Sequence, residues 1–384
     1  MSDKPPVSQH SLRYDATQDS VWIIDQTQLP HVLVERELKT LADACEAIEA
    51  MWVRGAPLIG VTAAFGLYLS LRSGAVTTPE VNAAVQRLAQ TRPTAVNLQW
   101  ALDRLSSILI PVDVAQRPAR ALSAALELHA EDVAACAALG EHGAVRLENL
   151  WHTKCAQAEE RGESAPSQLN VLTHCNAGAL ATVDWGTALA VVYKACERGV
   201  PVHVWVDETR PRNQGASLTC WELGERGVPH TLIVDNAGGH LMQHGLVDCC
   251  VVGSDRTTRE GDVCNKIGTY LKALAAFDNK IPFYVALPVS TIDFELADGL
   301  REIPIEERSA YEVTHISGLG DDGTVRRVRL TPAGTAVSNF GFDVTPARLV
   351  TGLITEHGVI EANAAALAHL QARLSQAGMG GMDN

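Results

Sequence analysis

The chain has 384 residues, of which 46% are hydrophobic and 20% are charged, and its formal net charge is −14. This length exceeds that of one typical hydrophobic core and predicts two domains. The acidic balance, together with the absence of a long run of Lys or Arg, argues against a nucleic-acid-binding protein. An anionic ligand would therefore have to be met by a few local cationic side chains.

Nine cysteines, an odd number, show no Cys-x-x-Cys pair and no regular spacing. This pattern argues against a disulfide framework and against a zinc site, and it is typical of a reducing compartment. The N-terminal segment lacks the apolar core of a signal peptide, and no apolar stretch reaches membrane-spanning length. The sequence therefore predicts a cytoplasmic protein that does not enter a membrane.

The first half of the chain is predicted to be mainly helical. Short alternating segments at residues 20–24 and 31–34 suit small strands. Helices are expected at residues 41–51, 58–71, 78–90, 95–109 and 116–157. A polar, irregular stretch at residues 159–167 interrupts this pattern. We therefore expect an N-terminal helical domain with a small β-sheet over residues 1–157.

Residues 158–384 show a different rhythm, in which short Val-rich strands alternate with helices. The strands are predicted at residues 169–173, 200–206, 230–234, 247–252 and 283–287. The helices are predicted at residues 185–196, 214–223, 239–244 and 265–276. Apolar strands that alternate with helices predict a parallel sheet covered by helices. The expected fold class is therefore α/β, with a Rossmann-like parallel domain after the helical one.

Ligands of an open parallel α/β sheet bind beyond the carboxyl ends of its strands. Polar segments follow the predicted strands here, at residues 173–176, 207–210 and 253–256. Because the ends of parallel strands meet at one edge of a sheet, we expect these segments to line one crevice.

Two residues of this crevice have both a structural and a catalytic interpretation. Cys175 could simply pack in the core, as most cysteines do, but a strand end before a turn also suits a reactive thiol. Asp255 could cap a helix or pair with Arg256. Its place just after an apolar run would desolvate it partly, which raises the pKa of a carboxyl group and suits a general acid.

Several cationic residues remain open between ligand binding and a structural role. Asn265 and Lys266 are predicted to open a helix, whose N-terminus could cradle a phosphate or could simply be a surface cap. Arg54, next to Gly55, could grip an anion or cap the preceding helix. Arg92 offers the same choice.

His174 could act as a base or as a metal ligand, but no second histidine lies at ligand spacing. We therefore expect it to pack or to form hydrogen bonds. A nicotinamide-dependent oxidoreductase is the main rival for a doubly wound domain. The turn after the first predicted strand lacks Gly-x-Gly-x-x-Gly, and the chain has no Walker loop, so this rival loses most of its support.

Several short motifs are distributed along the chain. They are Arg54-Gly55-Ala56-Pro57, Arg92-Pro93-Thr94-Ala95-Val96-Asn97-Leu98, Thr173-His174-Cys175-Asn176-Ala177-Gly178, Asp207-Glu208-Thr209-Arg210-Pro211-x-x-Gln214-Gly215, Gly253-Ser254-Asp255-Arg256, Asn265-Lys266-Ile267-Gly268-Thr269 and Asn339-Phe340-x-Phe342-Asp343-x-Thr345-Pro346. Together they resemble the methylthioribose-1-phosphate isomerase family. The resemblance spans nearly the whole chain and is more specific than any single motif. Ser254 departs from it, since we expect alanine there in many relatives.

The resemblance implies an aldose–ketose isomerisation of 5-methylthioribose 1-phosphate to 5-methylthioribulose 1-phosphate, in methionine salvage. It assigns the acid–base role to Asp255 and transition-state assistance to Cys175. It assigns substrate contacts to Arg54, Gly55, Ala56, Arg92, Gln214, Asn265 and Lys266. It implies no metal, no organic cofactor and a homodimer. A proton shuttle and a direct hydride shift both remain open.

Two alternatives also remain open. The same fold occurs in regulatory subunits of the eukaryotic guanine-nucleotide exchange factor of translation initiation, which would not need both Cys175 and Asp255. Other relatives isomerise ribose 1,5-bisphosphate or 5-deoxyribose 1-phosphate. The group at C5 decides between these substrates, since a second phosphate requires cationic contacts and a methyl or methylthio group requires apolar ones.

Overall fold

The structure is a computed structural model that describes residues 10–380 apart from residues 75, 93 and 94, with side chains up to residue 376. The N-terminal segment considered for a signal peptide lies outside these residues. So do Pro93 and Thr94 of the second sequence motif.

The first half of the chain folds as a small antiparallel sheet against a group of helices. Its elements are β1 (Leu12–Asp15), β2 (Ser20–Ile24), β3 (Glu35–Leu38), α1 (Leu41–Glu49), α2 (Ala56–Leu71), α3 (Thr78–Ala89), α4 (Val96–Leu109) and α5 (Arg117–Glu160). Helix α2 is buried along nearly its whole length and packs around Phe65 in the centre of this half. Pro57 lies in its first turn, where no backbone donor is needed. The strand expected at residues 31–34 is wrong, because the third strand begins at Glu35.

Helix α5 is shared by the two halves of the molecule. Its first part contributes Ala121 and Leu128 to the core of the N-terminal half. Further along, Leu139 and Leu147 belong to the core beneath the large sheet of the second half. The helix ends at Glu160, close to the predicted residue 157. One continuous helix therefore contributes side chains to both cores. The division of the chain into two domains at residues 157/158 stays a proposal.

The second half is built on a seven-stranded sheet. Its elements are β4 (Leu169–Thr173), α6 (Ala188–Glu197), β5 (Val202–Asp207), α7 (Cys220–Glu225), β6 (His230–Ile233), α8 (Gly238–Gln243), β7 (Cys249–Val252), β8 (Arg256–Thr258), β9 (Val263–Lys266), α9 (Thr269–Asp278), β10 (Phe283–Ala286), β11 (Ile292–Asp293), α10 (Gly299–Glu302), α11 (Ala310–Thr314), β12 (His315–Leu319), β13 (Val325–Arg329), β14 (Phe342–Thr345), β15 (Gly352–Thr355), β16 (Gly358–Ile360) and α12 (Ala364–Gly380). The predicted α/β class is therefore confirmed.

The order of strands in this sheet is β16-β15-β10-β7-β4-β5-β6. Its strands are parallel except for β16, which is antiparallel to β15 at the edge. From β4 the chain builds outward through β5 and β6, and from β7 it builds outward in the opposite direction. The order therefore reverses between β4 and β7, which is the point where open α/β sheets bind ligands.

The apolar composition of the strands follows from their burial on both faces. All four residues of β7 are buried, including Cys249 and Cys250. Helix α6 covers one face of the sheet and helix α9 covers the other. Within the described ranges, no helix combines the length and the apolar character needed to cross a bilayer.

The predicted helix at residues 265–276 is wrong at its start. Asn265 and Lys266 lie on strand β9, which pairs antiparallel with β14 and with β8. Helix α9 begins only at Thr269, after Gly268 adopts a left-handed backbone with φ 102°. Asp343 caps this start by accepting hydrogen bonds from the N–H groups of Gly268 and Tyr270.

The stability of the first half should depend on α2. We expect Leu58→Ala to lower the free energy of unfolding by about 2–5 kcal/mol, because Leu58 is completely buried and the change leaves a cavity. Leu300→Ala is the matched control, since Leu300 is 79% exposed, and it should change stability by less than about 0.5 kcal/mol. Urea denaturation of both variants measures the difference; equal effects would contradict this account of the core.

Candidate active site

The candidate site lies at the switch point of the sheet, where the ends of β4 and β7 face the start of α2. Two small cavities of ≈ 30 Å³ each meet at Asp255 and Ala56. The predicted residues that line the first are Arg54, Gly55, Ala56, Cys175, Asp255 and Asn265. Arg92 lines the second. Residues predicted from distant parts of the sequence therefore lie together, and they come from both halves of the molecule.

A larger cavity of ≈ 840 Å³ adjoins this place and shares Arg54 with the first small cavity. Gln214, the remaining predicted contact apart from Lys266, lines the larger cavity. Its walls also include the apolar side chains of Leu29, Trp52 and Leu218. Arg54 therefore lies between the small cavity that contains Asp255 and the larger cavity that contains Gln214.

Cys175 is held in a backbone conformation that non-glycine residues rarely adopt, with φ 65°. Its N–H donates to Oγ1 of Thr209 at 2.8 Å, and its carbonyl oxygen accepts from Oγ1 of Thr219 at 2.7 Å. The side chain is only 7% exposed. Strained backbone of this kind persists where surrounding contacts enforce it, and it is typical of functional sites.

Asp255 follows the end of β7 and its N–H donates to the carbonyl oxygen of Cys264 at 2.9 Å. Burial raises the pKa of Asp255 above the ordinary range of an aspartate. Neighbouring cations oppose this shift without reversing it; they are Lys266, Arg92 and Arg54. The carboxyl group is therefore suited to hold a proton and to deliver it.

Lys266 brings a buried ammonium group close to the side chains of Cys175 and Asp255. Burial lowers the pKa of Lys266, and the electrostatic effects of Cys175 and Asp255 oppose that shift. Its Nζ donates to the carbonyl oxygen of Gly341 at 3.0 Å and lies 4.7 Å from the ring centroid of Phe342. The ammonium is thus held in place from strand β9, rather than from the helix start that the sequence predicted.

Arg54 is anchored by Asn176, a residue without a predicted role. Its Nη1 donates to Oδ1 of Asn176 at 2.6 Å, and its Nη2 donates to the carbonyl oxygen of Asn176 at 2.7 Å. Asn176 in turn donates to the buried carboxylate of Glu222 at 2.9 Å. Glu222 also accepts the N–H groups of Ala179 and Leu180. Asn176 could have been suspected because it follows Cys175, whereas nothing local marks Glu222.

Arg92 is oriented by a chain of ion pairs. Its Nη2 lies 3.1 Å from Glu306, which pairs with Arg308 at 2.6 Å. Arg308 pairs with Glu312 at 2.8 Å, and Glu312 pairs with Arg212 at the same distance. The Nε of Arg92 is buried and has no hydrogen-bond partner in the described part of the chain. A buried donor without a partner costs about 1–3 kcal/mol, so this atom is suited to an acceptor on a ligand.

His174 forms hydrogen bonds, as predicted. Its ring nitrogens lie 2.8 Å from a carboxylate oxygen of Asp207 and 2.8 Å from the carbonyl oxygen of Ile267. With Asp207 and Asp235 it forms a group close enough to hold a metal ion. However, the ammonium of Lys272 already lies 3.1 Å from Asp207 and donates to the carbonyl oxygen of Asp235. A protein cation therefore supplies the positive charge that a metal would bring.

Comparisons with known proteins agree on the family. Residues 52–362 match the Initiation factor 2 subunit family. A methylthioribose-1-phosphate isomerase from Paramagnetospirillum magneticum is 61% identical over 344 residues, which cover 90% of this chain and 92% of the relative. The resemblance drawn from the sequence motifs is thereby confirmed.

Two solved structures are also similar to this chain. The 5-methylthioribose 1-phosphate isomerase from Pyrococcus horikoshii has a TM-score of 0.79 and 37% identity, and the match covers 96% of this chain and 99% of that one. The delta subunit of translation initiation factor eIF-2B from A. fulgidus has a TM-score of 0.74 and 38% identity, covering 94% and 99%. The chain belongs to the Initiation factor 2 subunit family and, within it, to the methylthioribose-1-phosphate isomerases.

Proposed function

We propose that this chain converts 5-methylthioribose 1-phosphate to 5-methylthioribulose 1-phosphate, as an aldose–ketose isomerase of methionine salvage. The observation that carries this proposal is the 61% identity, over 90% of the chain, to an isomerase of that name. The cavity that contains both Cys175 and Asp255 supports it. A regulatory subunit that only binds and assembles would not need this pair.

The first chemical step is opening of the sugar ring. The phosphate is attached to the anomeric carbon C1, so no free aldehyde exists until the bond between C1 and the ring oxygen breaks. Asp255 is suited to protonate that oxygen, because burial favours its neutral, proton-carrying form. Exclusion of water from the small cavities protects the opened sugar from side reactions.

The second step moves a hydrogen from C2 to C1 and leaves a ketone at C2. In a hydride shift, the hydrogen travels with its electron pair and the C2 hydroxyl loses a proton. In a proton shuttle, a base removes the C2 proton and C1 receives a proton from an acid. Cys175 lines the same cavity as Asp255, which supports a role in assisting either route. Deuterium at C2 separates them, since it is retained in the shift and exchanges with solvent in the shuttle.

Binding of the phosphate is supported by the positive charge around the small cavities. Arg54 and Lys266 lie close enough to Asp255 to influence its pKa, and the Nε of Arg92 awaits an acceptor. Gly55 and Ala56 line the same space at the start of the 16-residue helix α2, whose free N–H groups favour an anion. These features meet the anionic substrate locally in a chain of net charge −14.

The larger cavity is suited to the C5 end of the substrate. It adjoins Arg54 and contains Gln214, and its apolar walls include Trp52 and Leu218. The cationic side chains of Arg54, Arg212 and Arg327 also line it. Arg54 donates to Asn176, Arg212 is paired with Glu312 at 2.8 Å, and Arg327 donates to Ser317 at 3.1 Å. An apolar wall favours a methylthio group over a second phosphate.

We further propose that the protein is a cytoplasmic homodimer. Strand β6 lies at the edge of the sheet, and the apolar side chains of Leu232 and Val234 there are 48% and 59% exposed. Leu271 at the start of α9 is 59% exposed as well. An unpaired edge with exposed apolar side chains favours association with a second copy. All nine cysteines are free thiols, which suits a reducing compartment.

Substrate choice is tested by offering the purified chain 5-methylthioribose 1-phosphate, 5-deoxyribose 1-phosphate and ribose 1,5-bisphosphate, and by following ketose formation by NMR. We expect the highest kcat/KM with the methylthio sugar and the lowest with the bisphosphate, because of the apolar wall near C5. No turnover of any sugar would favour the binding-protein alternative.

Removal of the acid should separate binding from turnover. We expect Asp255→Asn to abolish turnover while the substrate still binds, as measured by isothermal titration calorimetry. In the unsubstituted enzyme, kcat should fall as the pH rises through the raised pKa of Asp255, because only the protonated carboxyl can act as the acid. Near-normal activity of the Asn variant would remove Asp255 from the mechanism.

Cys175→Ala is the companion variant. A supporting role at the transition state requires a large loss of kcat with little change in affinity. If only affinity is lost, then Cys175 binds substrate and takes no part in the chemical step.

Close approach of the two halves at Gly55 should be essential for activity. Gly55 has φ 96°, and a Cβ atom there would lie 2.5 Å from Cα of Ala181. We expect Gly55→Ala to lower kcat/KM by about 100-fold or more, since even a ~1 Å displacement of Arg54 disturbs alignment.

Gly162→Ala is the matched control for this change. Gly162 also has a left-handed φ of 64°, but no heavy atom of the described residues would lie within 4 Å of the added carbon. It should retain the activity of the unsubstituted enzyme in the same steady-state assay. Equal activity of both variants would show that the contact at Gly55 is dispensable.

A further inference from the structure

His174 joins two neighbouring parts of the site through its imidazole ring. The ring is completely buried, and its Nδ1 and Nε2 each lie 2.8 Å from an oxygen, of Asp207 and Ile267 respectively. The carbonyl of Ile267 has no proton to give, and the carboxylate of Asp207 faces the ammonium of Lys272 at 3.1 Å. Both ring nitrogens therefore face acceptor oxygens, a geometry that suits a ring that donates from Nδ1 and from Nε2.

The two acceptors belong to different strands. Asp207 ends β5, and Ile267 directly follows Lys266 at the end of β9. His174 itself directly precedes Cys175 at the end of β4. The imidazole thus connects the ends of three strands, two of which carry groups that meet in the candidate site.

The fit around the ring is tight. Gly268 passes over it with φ 102°, and a Cβ atom there would lie 3.0 Å from Cε1 and 3.1 Å from Nε2 of His174. Only glycine combines this backbone with this approach. The turn after Lys266 is therefore shaped to the ring of His174, independently of the two hydrogen bonds.

We propose that His174 is a positioning residue for the isomerisation: its doubly donating ring sets the separation of Cys175 and Lys266. The inference rests on the proposed function for the reaction it serves. Because both ring nitrogens are engaged in hydrogen bonds, the ring cannot act as a base. Because the ammonium of Lys272 already pairs with the carboxylate of Asp207, the ring is not needed as a metal ligand. Its effect reaches the substrate through its neighbours.

The hydrogen-bond pattern is tested on the unsubstituted enzyme with ¹⁵N-labelled histidine. NMR should show two protonated ring nitrogens for His174, assigned by their loss in His174→Gln. One protonated and one unprotonated nitrogen would overturn the bridge. This measurement is independent of turnover, so inactivity toward every sugar phosphate would sink the proposed function but leave this result in place.

The positioning role is tested by kinetics. We expect His174→Gln to lower kcat by about 100-fold, because a ~1 Å misplacement has that effect, and to leave the substrate dissociation constant within about threefold. His174→Ala, which donates neither hydrogen bond, should be slower than the Gln variant, which keeps one donor. A purely structural role would instead lower the folded fraction and leave kcat per folded molecule unchanged.

Two further variants complete the test. Gly268→Ala places a methyl group against the ring and should also lower kcat with little loss of affinity. His129→Gln is the control, since His129 bonds the carbonyl oxygen of Leu12 at 3.2 Å in the N-terminal half, and it should keep normal kcat. Normal kcat in both His174→Gln and Gly268→Ala would overturn the proposal.

Discussion

The site depends on removing charged groups from water while holding each of them in place. Burial shifts the pKa values of these two groups in opposite directions: it raises the pKa of Asp255 and lowers the pKa of Lys266. Among the residues that the structure describes, neither Asp255 nor Lys266 forms an ion pair within 4.0 Å. The ammonium is instead held by a backbone carbonyl and an aromatic face. This arrangement leaves a carboxyl group with a raised pKa beside an ammonium group that is suited to an anionic ligand.

The surrounding contacts prevent these groups from relaxing toward better solvation. The carboxylate of Glu222 accepts hydrogen bonds from Asn176 and from two backbone N–H groups. Asn176 in turn accepts a hydrogen bond from the guanidinium of Arg54 and holds it in place. The ion pairs that begin at Glu306 do the same for Arg92. A preorganised arrangement of this type needs little rearrangement at the moment of reaction, which is where electrostatic catalysis gains its effect.

The sequence predicted the parallel sheet well because its strands are continuous apolar runs. The five predicted strands lie within a few residues of β4, β5, β6, β7 and β10. The same periodicity failed at Lys266, since Lys266 lies on strand β9, which pairs with β8 and with β14, and its own partner in that pairing is Phe342 of β14. Such a partner is far away in the chain and leaves no local pattern.

The ends of the predicted strands were enough to locate the candidate site at one edge of the sheet. The individual residues of the site were predicted mainly from the family resemblance. Buried carboxylates are the hardest to foresee, because a Glu222 inside a helical segment looks like any surface glutamate until its partners are known. Gly55 was predicted only as a substrate contact, from the family resemblance, whereas its contact with Ala181 depends on the packing of the two halves against each other.

Helix α5 belongs to the cores of both halves of the chain, which the sequence predicted to be separate domains. At 44 residues it extends over about 66 Å at 1.5 Å per residue, and each of its ends is part of a different core. A fragment that begins after it would expose the face of α6 that Leu139 and Leu147 cover. The boundary predicted at residues 157/158 thus lies near the end of a helix that both cores need, so the chain cannot be divided there without exposing apolar surface. Recombination between relatives would have to exchange the helix together with the surfaces on both sides of it.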